Sequence, residues 1–99
     1  MNIKIHSIHF DANRRLLDFI KVKVKKLIQF YDEIIGVEVF LRLENSQDLQ
    51  NKIAEIKLEI PGNKLFAKKQ SKSFEESINN CVNALRRQIT RHKEKFKRA

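Results

Sequence analysis

Apolar residues recur along this chain with two different periods. Ile3 and Ile5 alternate with Lys4 and His6, which predicts a weak strand over Met1–Phe10. From Arg14 to Tyr31 the period lengthens to that of a helix. Leu16, Ile20, Val24, Leu27 and Tyr31 fall in a narrow arc at about 100° per residue, and Leu17 and Ile28 widen it. Lys21, Lys23, Lys25 and Lys26 occupy the rest of the circumference. Asp11 or Asn13 can cap this helix, because a short side-chain oxygen accepts from the free amides of a first turn. Gly36 is placed to break the chain after it.

Alternation then returns. Val37, Val39, Leu41 and Leu43 interleave with Glu38, Phe40, Arg42 and Glu44, a half-buried strand. The polar stretch ENSQDLQNK reads as a loop. Ala54, Ile56, Leu58 and Ile60 alternate with Glu55, Lys57 and Glu59, a further strand. Ile60-Pro61-Gly62-Asn63 has the proline and glycine positions of a type II turn, which makes Lys64–Ser71 the other arm of a hairpin. Ser73 followed by Glu76 is a capping-box pattern opening the last helix. Phe74, Ile78, Cys81, Val82, Leu85, Ile89, His92 and Phe96 share one arc of it.

The order is β-α-β-β-β-α, an α+β fold. A four-stranded mixed sheet carrying two helices side by side on one face buries every apolar stripe at once, in the manner of a double-stranded-RNA-binding domain. The βαβ crossover makes the first two strands parallel and right-handed in connection, and the rest form an antiparallel meander. Ninety-nine residues suit one domain.

Charge changes this picture most. The formal net charge is +9, and it is clustered. Residues 11–31 hold six basic and two acidic side chains, residues 64–72 hold four basic ones, and residues 85–99 hold seven basic and one acidic. An even spread would serve solubility, whereas clusters on two adjacent helices suit a polyanion. Arg86, Arg87, Arg91, Lys93, Lys95, Lys97 and Arg98 have only Glu94 to balance them. A helix built for stability alone would interleave signs at i,i+4. The dipole at a helix C-terminus favours cations by about 0.3–1 kcal/mol each. That leaves the mid-helix lysines of the first helix unexplained.

Other chemistry is sparse. Cys81 alone permits neither an internal disulfide nor a cysteine-based metal site, and it falls on an apolar arc as a small core residue. His6 and His9 are three apart, on opposite faces of a strand, so no metal site is expected. Two glycines cannot make a phosphate loop, and no nucleophile–base set is spaced for catalysis, so an enzyme and a cofactor are not expected. No long apolar run spans a membrane, both apolar stripes are needed for the core, and the start MNIKIHSIHF has no signal-peptide pattern; a cytoplasmic protein without membrane partners is expected. Phe40 alternates onto the open sheet face beside Arg42, where a base could stack, but the paired aromatics of a stacking platform are not evident in the pattern.

KVKKLIQFYDEI on the first helix and RRQITRHKEKFK on the last resemble the short ribosome hibernation-promoting factors, a family that includes ribosome-associated translation inhibitors and proteins labelled sigma-54 modulation proteins. The resemblance covers essentially the whole chain. It implies a single ribosome-binding domain over residues 1–99, a short form with no C-terminal dimerisation domain. It implies binding to the small ribosomal subunit, in the channel used by messenger RNA and by A- and P-site transfer RNA, and inactivation of translation in stationary phase or stress by occlusion. A separate ribosome-dimerising factor is a further implied partner, and the protein off the ribosome is expected to be a monomer. The family's rRNA-binding positions fall on Lys23 and Lys26 and on Arg87, Arg91, His92, Lys93, Lys95 and Lys97. Arg86 and Lys25 join them by helical face alone. A general duplex-RNA binder and a protein-interaction regulator of transcription are the alternatives.

Overall fold

The computed structural model describes residues 2–44 and 49–97, with the side chains of Asn2, Phe96 and Lys97 outside the described part. Six elements follow the expected order: β1 (Asn2–Ile8), α1 (Arg14–Phe30), β2 (Gly36–Leu43), β3 (Lys52–Ile60), β4 (Asn63–Ser71) and α2 (Phe74–Lys97). The sheet order is β1-β2-β3-β4. β1 and β2 are parallel, while β2–β3 and β3–β4 are antiparallel. The crossover and the meander are therefore both present as the pattern predicts.

Local chemistry sets the boundaries. β1 stops at Ile8 rather than Phe10, because His9 adopts φ 64°, a left-handed conformation that ends strand pairing. Asn13, not Asp11, caps α1: its side chain accepts from the Leu16 amide at 2.8 Å. Gly36 opens β2 rather than merely breaking the chain. Gly62 has φ +74°, as the third position of a type II turn demands. Ser73 Oγ accepts from the Glu76 amide at 3.1 Å, the first half of the capping box.

One core lies between the sheet and the helices. Leu16, Ile20, Val24 and Leu27 from α1 meet Val39, Leu41, Ile56 and Leu58 from the sheet and Ile78, Cys81, Leu85 and Ile89 from α2. Leu43 departs from its expected inward role and is exposed at the end of β2. The predicted inward Phe96 lies outside the described side chains. Ala84, Ser71 and Ser77 are buried without an apolar signal strong enough to show in the pattern. Ser77 donates to the Lys52 carbonyl at 2.7 Å, and its oxygen lies 2.7 Å from Ser71 Oγ.

The helices run parallel. Phe10, just before α1, stacks on Phe74 at the start of α2, with ring centroids 5.0 Å apart. At the other end, Tyr31 meets His92 edge-on at 6.2 Å. At about 1.5 Å rise per residue, the 24 residues of α2 outrun the 17 of α1 by roughly 10 Å. The C-terminal turn of α2 therefore projects past the end of α1.

Candidate nucleic-acid interface

Three contacts orient α2 about its axis. Gln88 donates to the Phe66 carbonyl at 2.9 Å, which turns its row towards β4. Arg86 and Lys93 lie over the Phe30 ring at 5.4 and 4.8 Å, which turns theirs towards α1. Residues three and four apart share a face. Lys23 and Lys26 thus fall on the α1 row that runs from Phe19 to Phe30, the flank facing α2. Lys23 lies 5.5 Å over the Phe19 ring, and Lys26 is exposed.

The expected site residues therefore divide into two groups. Lys23, Lys26 and Lys93 line the seam between the helices, with Arg86 beside them. Arg87, Arg91 and Lys95 form an i,i+4 row that starts on the outer surface of α2 and winds to its β4 side. All three of that row are exposed, and none has an ion-pair partner among the described residues. Successive members are about 6 Å apart along the axis. Lys97 continues α2, its side chain outside the described part.

Lys93 is the least free of the cations. Its ammonium lies 4.8 Å from the Phe30 ring and 5.4 Å from the Tyr31 ring, and it donates to the Phe30 carbonyl at 3.3 Å. α1 has no basic residue in its own last turn, so α2 supplies the cation that its negative end favours. His92 is half-buried against Tyr31. The Tyr31 hydroxyl donates to Glu33 Oε2 at 2.6 Å. That bond, then desolvation, then the charges of Glu33 and Asp32, push the phenol up to about 12.

The sequence pattern marked the basic rows but not Phe19 and Phe30 as the rings that hold them. The signal was present: 19, 23, 26 and 30 are spaced as one helical row. Among the described residues no cluster of three or more His, Cys, Asp or Glu could hold a metal ion. No helix there is long and apolar enough to cross a membrane.

Comparison with known proteins gives this basic two-helix surface a context. The chain is 31% identical over 97 residues to the ribosome hibernation promoting factor of Klebsiella oxytoca, covering 98% of this chain and 96% of that protein. It is 30% identical over 95 residues to the protein of the same name in Pseudomonas putida, covering 96% and 89%. Its fold matches the solved structure of a ribosomal subunit interface protein from Coxiella burnetii with a TM-score of 0.85 at 18% identity, covering 95% of this chain and 99% of that one. The family model described as sigma 54 modulation protein / S30EA ribosomal protein matches residues 3–97, both helices and all four strands included, and the chain belongs to that family.

Proposed function

We propose that this protein inactivates translation by occupying the small ribosomal subunit in the channel used by messenger RNA and by A- and P-site transfer RNA. The observation that carries this reading is the row of Arg87, Arg91 and Lys95, exposed and without ion-pair partners among the described residues, along the C-terminal half of α2. Lys23, Lys26, His92, Lys93 and Lys97 lie on the same two helices and extend it. Unpaired cations on a rigid helix gain most by meeting phosphates, since each releases a condensed counterion. A structured RNA, read by backbone shape, offers phosphates in fixed positions. The names of the relatives, ribosome hibernation promoting factors and a ribosomal subunit interface protein, support the ribosome as that RNA. The mechanism is occlusion in the cytoplasm, without a chemical step.

Co-sedimentation tests it. The protein should travel with purified small subunits, and excess transfer RNA with messenger RNA should release it. Protein that stays at the top of the gradient, or that binds equally well to channel-filled subunits and to any free RNA duplex, overturns the reading in favour of general duplex binding.

A further inference from the structure

The helices cover one face of the sheet and leave the other open. Register places Lys64, Phe66 and Lys68 of β4 on that open face, with Lys57 of β3 directly opposite Phe66. Phe66 is a large apolar ring left 59% exposed at the centre of this cationic strip. Phe40 shares the face, but both sides of its ring are taken. His6 of β1 stacks on it at 4.8 Å with an 18° interplanar angle, and Lys57 of β3 lies over it at 5.0 Å. Because β1 and β3 flank β2, the two contacts come from opposite sides. Phe40 thus draws the Lys57 ammonium towards β2, where it also lies 3.9 Å from Glu55 Oε1. Phe66 is the ring with a free surface.

Charge completes the picture. Lys4 and Arg42 rise from the same face as Lys57, Lys64 and Lys68. Glu38, Glu55 and Glu59 oppose these five, as does Glu44, which Gln70 holds on the same face: Glu38 lies 2.9 Å from His6, Glu55 lies 3.9 Å from Lys57, and register sets Glu55 and Glu59 opposite Lys68 and Lys64. Beside the strip, above the side-chain-free Gly36, a groove of about 370 Å³ is lined by Lys4, Lys57 and Lys64 together with Glu38 and Glu59. An exposed aromatic ring between Lys64 and Lys68 on the edge strand β4 offers what single-stranded nucleic acid requires: a π-face for a base and cations for its phosphates. A duplex offers no free base face, so it gains nothing from Phe66.

We propose that the open sheet face is a second RNA-binding surface, specific for single strands, in which an unpaired base stacks on Phe66 while Lys64 and Lys68, its neighbours on β4, hold the adjacent phosphates. It lies across the sheet from the helices and does not depend on their function. The protein could then hold a structured RNA on one side and an unpaired segment on the other.

The chain contains no tryptophan, which supplies a direct test. In Phe66→Trp, a short single-stranded oligouridylate should quench the new indole fluorescence and bind at least as tightly as to the wild type. Phe66→Ala should weaken that binding roughly tenfold, the loss of one base–aromatic stack, while binding to a perfect RNA duplex stays unchanged. Phe66→Leu should behave as Phe66→Ala, since an apolar side chain without a ring does not replace the stack. Arg87→Ala/Arg91→Ala/Lys95→Ala should keep its oligomer affinity within about threefold, because those side chains rise from α2, in the layer on the other side of the sheet from the open face. Unquenched indole, equal affinity of Phe66→Ala and wild type, or equal competition by a polyglutamate peptide overturns the proposal. Loss of subunit binding in the triple variant bears only on the helices, so the two readings fail separately.

Discussion

Replacing the exposed row of α2 should change how binding depends on salt more than it changes the fold. In Arg87→Ala/Arg91→Ala/Lys95→Ala the three lost side chains have no ion-pair partner among the described residues. Their removal lowers the formal charge from +9 by three and relieves self-repulsion, so stability should stay within about 0.5 kcal/mol of the wild type. Binding is another matter. Lys23, Lys26, Arg87, Arg91, Lys93 and Lys95 are the full cations of the proposed interface whose side chains are described. One phosphate each, at about 0.9 counterion released per contact, gives a slope of log affinity against log salt near −5, and roughly a 10³-fold loss between 50 and 200 mM salt. Removing three leaves a slope of about −2.7 and a loss of only about 40-fold over the same interval. Filter binding or co-sedimentation with purified small subunits across a salt series measures both slopes. Parallel slopes for the two proteins, with matching thermal melts, would refute the assignment of this row to phosphates.

Three further outcomes follow from other parts of the molecule. Lys93→Ala should lower stability by about 1 kcal/mol in urea denaturation, since it removes the cation over Phe30 and the partner of the α1 C-terminus; an unchanged midpoint would mean that Lys93 holds neither. The Cys81 thiol, desolvated between the Ala54 and Ala67 carbonyls, is pushed up to about 11, and the Tyr31 phenol to about 12. Both bind their protons more tightly folded than unfolded, so stability is complete below about pH 9 and falls as pH rises towards 11 and then 12. Cys81→Ala should remove the first part of that loss, and Glu33→Gln should bring the phenolate absorbance of the single tyrosine back towards 10; a wild-type phenol titrating near 10 would contradict the Glu33 bond. Gly62→Ala should cost about 1 kcal/mol, because φ +74° is strained for any residue with a β-carbon, and equal thermal stability would show that the turn relaxes.

Periodicity alone determined the element order, the parallel first pair and the face each helix buries, because every strand and helix here has one apolar side and only a two-layer arrangement covers them all. It determined Ser73 as a cap and Gly62 as a turn residue, since both depend on local backbone chemistry. It left Asp11 and Asn13 as equal candidates, and only the path of the chain after His9 chose between them. The charge clusters were equally plain, but charge has no direction in a sequence. Tertiary structure decided that Lys93 lies inward over two rings while Arg87, Arg91 and Lys95 turn outward, because that depends on how α2 is rotated by Gln88 against β4 and by Phe30 at the end of α1. It also decided the fate of the two open-face rings. Phe40 and Phe66 are both out of phase with their buried neighbours, but only the pairing of three strands shows that one ring is sandwiched and the other left bare. Contacts between residues far apart in sequence rest on register and on helix rotation, and neither is encoded in any single segment.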